Sequence, residues 1–132
     1  MPPMTAKRRI LIIDDEADFA WMLKLNLERT KSYEVAIETD PENAIEAARK
    51  FAPDLVLLDF ILPHINGGEL AVQIKAAFAA KLPIVFLTAA LRQPEPRSKP
   101  RTIAGYRFLS KPVGIEELLD CVAAELQHAP PR

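Results

Sequence analysis

The sequence predicts an α/β fold built on an open parallel sheet, and three observations predict it. Four short apolar runs, Ile10-Leu11-Ile12-Ile13, Leu55-Val56-Leu57-Leu58, Ile84-Val85-Phe86-Leu87 and Phe108-Leu109, are too brief for helices and rich in strand-forming residues. The segments between them are long enough for the helical crossovers that parallel strands require. Each run ends in reactive or charged side chains: Asp14-Asp15, Asp59, Thr88 and, after Ser110, Lys111. In an open parallel sheet the strand C-termini share one edge, where ligands bind, so these groups are expected to meet there.

The elements follow in order. After a polar start, Met1 to Arg9, the first strand ends at Asp14, and Glu16 to Arg29 carries Phe19, Met22, Leu23 and Leu27 at helical spacing. Tyr33 to Thr39 alternates Val35 and Ile37 with Glu34, Ala36 and Glu38, the pattern of a more exposed strand. Asp40-Pro41 is a helix start with proline in the first turn, and that helix runs to about Phe51. Pro53-Asp54 leads into the third strand, which delivers Asp59. The loop Leu62-Pro63-His64-Ile65-Asn66-Gly67-Gly68 follows, with Asn66-Gly67 expected as a left-handed turn, and then an alanine-rich helix from Glu69 to Ala80. Pro83 precedes the fourth strand, which delivers Thr88.

Leu91 to Thr102 breaks this rhythm. It holds Pro94, Pro96 and Pro100 with Arg92, Arg97, Lys99 and Arg101, and proline costs a helix interior roughly 3 kcal/mol each. A loop is expected, with at most a turn of helix near Ile103-Ala104. Gly105 leads into the fifth strand, and Ile115 to Gln127 presents Leu118, Leu119, Val122 and Leu126 as the stripe of a last helix. The expectation is a single domain over 1–132, with a core of about 8–127.

Composition narrows the function classes. The chain has 132 residues, 17 basic and 18 acidic, for a formal net charge of −1, so no overall field draws it to nucleic acid or to an anionic membrane. One cysteine, Cys121, excludes an internal disulfide and a cysteine zinc cage, and reads as a small apolar residue of the last helix. No apolar stretch has the length of a membrane span, and Met1 to Arg9 lacks the apolar core of a signal peptide. A cytoplasmic location is expected.

Asp14, Asp15 and Asp59 supply hard oxygen ligands, which suit Mg²⁺ or Mn²⁺ rather than zinc. Crowded carboxylates resist ionising together, and a divalent cation relieves the repulsion. An aspartate can then act as nucleophile toward a phosphoryl group, with the Lys111 ammonium and the Thr88 hydroxyl available to its oxygens. Taken singly these residues are unremarkable: Asp14-Asp15 would be a helix start and Lys111 a solvated lysine. Their joint placement at strand ends favours function. His64 reads as an exposed loop residue and Trp21 as packing, close enough to the acids to report on them.

Four spaced motifs carry a resemblance: Ile12-Ile13-Asp14-Asp15-Glu16, Leu57-Leu58-Asp59-Phe60-Ile61-Leu62-Pro63 with Asn66-Gly67-Gly68, Leu87-Thr88-Ala89, and Phe108-Leu109-Ser110-Lys111-Pro112. From about Arg8 to Gln127 the chain resembles a response-regulator receiver domain, the CheY-like phosphoacceptor module of two-component signalling. The resemblance implies a flavodoxin-like, doubly wound, five-stranded parallel sheet of order 2-1-3-4-5. It implies Asp59 as the phosphorylated residue, Asp15 as a direct Mg²⁺ (or Mn²⁺) ligand, Asp14 acting through metal-bound water, and the Ile61 carbonyl as a further ligand. Thr88 matches the switch hydroxyl, Phe108 the switch aromatic and Lys111 the phosphoryl-binding lysine, with a cis bond to Pro112. The implied phosphodonor is a histidine kinase or a histidine phosphotransfer protein, and the implied output a downstream protein or a homodimer partner. Such a domain catalyses only its own phosphoryl transfer and dephosphorylation.

The chain departs from that family in two places. The proline-rich 91–102 segment stands where receivers carry an amphipathic fourth helix, which puts the usual output face in question. Ile61 and Ala90, two positions beyond Asp59 and Thr88, are apolar where many members are polar, which predicts a long-lived phosphoryl mark. Two rival functions stand beside this one: a phosphorylation-independent interaction module that keeps the fold and uses the 91–102 face, and a small aspartate-nucleophile phosphatase. The second fits less well, because such phosphatases resemble an Asp-x-Asp arrangement after the first strand, whereas Asp59 follows the third. A stand-alone receiver and a piece of a longer regulator or hybrid kinase are both compatible with the sequence.

Overall fold

The computed structural model of the chain describes residues 7–78, 81–89, 102–103 and 105–127. Strands β1 (Arg8–Ile13), β2 (Tyr33–Glu38), β3 (Leu55–Asp59), β4 (Ile84–Thr88), β5 (Thr102–Ile103) and β6 (Tyr106–Ser110) form one sheet of order β2-β1-β3-β4-β6-β5. All neighbours are parallel except β5 and β6. The five parallel strands thus take the expected 2-1-3-4-5 order, and four α-helices stand among the described residues: α1 (Ala17–Glu28), α2 (Ala44–Phe51), α3 (Gly67–Ala77) and α4 (Ile115–Gln127). No helix among them is long and apolar enough to cross a membrane.

Alternation along the buried strands sends side chains to opposite faces, and each face has its own core. Ile10, Ile12, Leu55, Leu57, Val85, Leu87 and Leu109 pack with Ala20, Leu23 and Leu27 of α1 and with Leu118, Val122 and Leu126 of α4. On the other face Leu11, Ile13, Val56, Leu58, Ile84, Phe86 and Phe108 pack with Ala44 and Ala48 of α2 and Leu70 and Ile74 of α3. At roughly 1.5–3 kcal/mol per fully buried aliphatic side chain, β1 and β3 anchor the molecule from both sides. Their C-terminal ends are consequently rigid supports for Asp14 and Asp59.

Several local expectations are corrected. The segment near Ile103 forms β5 rather than a loop or helical turn. Gly105, at φ 87°, supplies a left-handed turn that lets Thr102 and Ile103 pair back on Arg107 and Tyr106. The expectation for 91–101 falls on residues outside those described. Helix α3 starts at Gly67, two residues earlier than expected, because the Asn66 side chain caps it by accepting from the Glu69 amide at 3.0 Å. Asn66 itself has φ −80°, and the left-handed residue of that loop is His64, at φ 68°. The expected C-terminal end of this helix, at Ala80, lies outside the described residues. Met22 and Trp21 point outward at 43% and 53% exposure, and the small Ala20 fills the core position on that turn. Trp21 is therefore a surface residue, with Lys24 over its ring.

Candidate functional site

Asp14 and Asp59 end up on one sheet edge because β1 and β3 are adjacent, with Ile13 in register with Leu58. Asp14, first residue after β1, is fully buried, and Asp59, last of β3, nearly so. Asp15 is exposed on the loop into α1. One carboxylate oxygen from each of the three lies within 4.8 Å of the others. Lys111, just past β6, reaches across: its Nζ stands 2.7 Å from Glu16 Oε1, 2.9 Å from Asp14 Oδ2 and 3.3 Å from Asp59 Oδ2. The Phe19 ring lies beneath the ammonium, 4.5 Å from centroid to Nζ.

The charges are unevenly matched. Burial raises the Asp59 carboxyl most; the Ile61 amide, donating to Oδ1 at 3.1 Å, lowers it; the Asp14 charge raises it and Lys111 lowers it. The outcome is a carboxyl lifted from 3.8 to about 6. Lys111 shows the opposite balance. Burial disfavours its charge, yet contacts with Glu16 and Asp14 and the charges of Asp14 and Asp59 hold it above the ordinary lysine range. The two are consistent because one ammonium serves three carboxylates and no single carboxylate receives all of it.

Asp14 shows what the pocket lacks. Its Oδ1 accepts from the Glu16 amide at 2.9 Å, whereas the buried Oδ2 faces Lys111 only as a charge contact and takes part in no hydrogen bond. A buried carboxylate oxygen with free lone pairs, beside two further carboxylates, is a donor set that fits a hard divalent cation.

The remaining expected residues fall around this core. Thr88 ends β4, is fully buried, and its carbonyl accepts from the Lys111 amide at 2.9 Å. Phe108 is buried on the opposite face of the sheet from α1, in register with Phe86. Ile61 projects its side chain to solvent at 57% exposure while its amide holds Asp59. The Lys111–Pro112 peptide is cis. Ala90 lies outside the described residues.

Three neighbours carry no sequence sign of a place at the site. Glu16 makes the shortest contact to Lys111 and Phe19 supports it. Gly67 is pressed against the site loop: a Cβ there would sit 2.6 Å from the Asp59 carbonyl oxygen and from Phe60 Cα. The Gly67 amide also donates to Phe60 O at 2.9 Å. Gly67 reads in sequence as a turn residue; its need for a bare Cα comes from that close approach, which periodicity does not reveal.

Comparison with known proteins places these observations. Residues 10–123 match the response regulator receiver domain family. The response regulator ArlR of Staphylococcus saprophyticus is 36% identical over 127 residues, which cover 92% of this chain and 54% of that protein. The DNA-binding response regulator MtrA of Mycobacterium bovis is 41% identical over 85 residues, 64% of this chain and 36% of that protein. The chain therefore spans about half, or less, of these curated relatives. Among solved structures, the chemotaxis protein CheY4 of Vibrio cholerae superposes with a TM-score of 0.76 at 26% identity, over 91% of this chain and 99% of that one.

Proposed function

Because this chain belongs to the response-regulator receiver domain family, we propose that it is a phosphoacceptor switch of a two-component or phosphorelay system, with Asp59 as the acceptor. The observation that carries this reading is the buried Asp59 carboxylate, grouped with Asp14 and Asp15 and facing the ammonium of Lys111. Asp14, Asp15 and Asp59 would hold Mg²⁺ or Mn²⁺, with the Ile61 carbonyl assigned as a further ligand by family resemblance. The cation, when bound, neutralises carboxylate charge and withdraws charge from the phosphoryl oxygens.

The chain's own residues then have distinct tasks. An Asp59 carboxylate oxygen attacks phosphorus in line, the bond from phosphorus to the donor's histidine nitrogen breaks, and the imidazole leaves with the electron pair. Lys111 contributes a point positive charge to the transferred oxygens, and Thr88 a hydroxyl donor from the end of the neighbouring strand. The β1 and β3 cores hold the acids still while this happens. Rearrangement of Thr88 and Phe108 is assigned as the readout, with Phe108 packed among core residues where a change of rotamer alters the sheet face. The donor is a histidine kinase or histidine phosphotransfer protein, and the output passes by protein contact, since the net charge offers no field for nucleic acid.

The test is phosphoryl uptake measured by intact mass with acetyl phosphate, in Mg²⁺ and in EDTA. A single adduct that requires the metal supports the reading. Sustained turnover of a phosphate ester, or no adduct from either acetyl phosphate or a phosphohistidine donor despite metal binding, would overturn it.

A further inference from the structure

Glu16 occupies the N-cap position of α1, where Ser, Thr, Asp or Asn stabilise a helix by accepting from its free amides. Its backbone is extended there, at φ −86° and ψ 94°, but its side chain makes no capping hydrogen bond. The carboxylate turns instead across the pocket mouth to Lys111 Nζ, at 2.7 Å, the shortest of that lysine's three carboxylate contacts. The helix thus forgoes a cap while the residue in the capping slot binds the one lysine of the pocket.

An ammonium has three N–H donors, and three carboxylates surround this one. Two of the donors are engaged in hydrogen bonds, to Glu16 Oε1 at 2.7 Å and Asp59 Oδ2 at 3.3 Å, and the shorter of the two, to Glu16, is the one that holds the ammonium back from phosphoryl oxygens on Asp59. Asp14 and Asp59 are buried and belong to the cation-binding group; Glu16, 63% exposed in its side chain, is the partner that can swing into water. The Phe19 ring, 4.5 Å from Nζ, supports the lysine from α1, so the first turn of that helix holds it from two sides.

We propose that Glu16 is a positioning residue that latches Lys111 in the unphosphorylated protein, and that release of this latch is part of the cost of phosphorylating Asp59. The proposal rests on the phosphoacceptor reading above. It concerns reach as well as charge, and the two separate cleanly. Glu16→Gln keeps the length and removes the charge. Glu16→Asp keeps the charge but is one methylene short of the lysine, and aspartate is also drawn to the free helix amides. Asp18→Asn removes the same charge from the exposed first turn of α1 without touching Lys111.

Initial rates of adduct formation with acetyl phosphate and saturating Mg²⁺, read by intact mass, test this. Both Glu16 variants are expected to react about three-fold faster or more, the scale of a single partly exposed ion pair, with Asp18→Asn at the wild-type rate. If Glu16→Asp matches wild type, or Asp18→Asn accelerates as much as Glu16→Gln, charge alone is responsible and the latch is overturned. Slower reaction of both Glu16 variants would also overturn it, since Glu16 would then be aiding Lys111. A wild-type chain that forms an adduct while the variants show flat rates removes the latch and leaves the phosphoacceptor reading intact. A wild-type chain that forms none removes both.

Discussion

The two edges of the sheet treat buried carboxylates in opposite ways. At the N-terminal edge Asp54 is buried at 6% exposure and accepts from the Arg9 amide at 2.7 Å, with Arg8 Nε 3.5 Å away. Arg9 in turn donates to the Phe51 carbonyl at 2.9 Å and lies over the Phe51 ring. One acid there has more than its share of cationic and amide partners, and the arrangement ties β1 to the turn before β3. At the C-terminal edge Asp14, Asp59 and Glu16 share Lys111, and the Asp15 carboxylate stands beside Asp14 and Asp59. The same residue type has its charge matched at one edge and poorly matched at the other, and the poorly matched edge is the one whose carboxylates fit a hard divalent cation.

This contrast can be broken at either end. The largest stability effect is expected from Asp54→Ala, which leaves the Arg9 amide without its partner and Arg8 without its counter-ion. Truncating one member of a buried pair costs about 3–5 kcal/mol, and the partial exposure of Arg8 brings the expectation to about 2–4 kcal/mol. Urea unfolding would measure it, and phosphoryl uptake of the folded variant should be unchanged.

Asp59→Asn is expected to do the reverse. The folded chain holds the Asp59 proton more tightly than the unfolded chain does, with the carboxyl at about 6 against an ordinary 3.8. The sign follows directly: stability linked to Asp59 is complete below about pH 4 and is lost as pH rises through about 6. Without metal at pH 7 the asparagine variant should be more stable than wild type by about 1–3 kcal/mol, and the gap should close toward pH 4. A gap that widens on acidification would contradict this charge balance around Asp59.

Metal should act in the same direction with a smaller effect. At ten times its dissociation constant Mg²⁺ stabilises a folded site by about 1.4 kcal/mol, a rise of several degrees in Tm for a domain of this size. The rise should shrink in Asp15→Asn and persist in Asp54→Ala. Thermal scans with and without EDTA check both. The last effect is one of lifetime: the exposed, apolar Ile61 offers no polar group to an attacking water, so the phosphoryl mark should outlast minutes, and Ile61→Glu should shorten it.

Much of this was legible in the chain itself. The apolar runs locate β1, β3 and β4 because strands buried on both faces need no polar alternation, and the acids at their ends follow from the shared edge. What sequence missed depends on distances between segments far apart in the chain. Asn66-Gly67 reads as a turn, but the Asn66 side chain is a helix cap and Gly67 is bare because Asp59 and Phe60 press on it. Two-residue β5 has no periodicity of its own and exists through the turn at Gly105. Trp21 was misplaced because an amphipathic helix tolerates an aromatic on its outer flank. Glu16 reads in sequence only as part of the Asp14-Asp15-Glu16 motif, and a glutamate in the capping position, where a shorter polar residue is preferred, is the sign of its contact with Lys111, 95 residues away.

The central claim is that Asp59, and neither Asp14 nor Asp15, carries the phosphoryl group. Borohydride reduction of the phosphorylated chain followed by peptide mapping tests it most directly, since reduction of the acyl phosphate marks the phosphorylated aspartate by converting it to homoserine. Homoserine at position 59 alone, dependent on Mg²⁺ and absent from Asp59→Asn, is the predicted result. Homoserine at position 14 or 15, or a full yield of adduct from Asp59→Asn, would contradict the account.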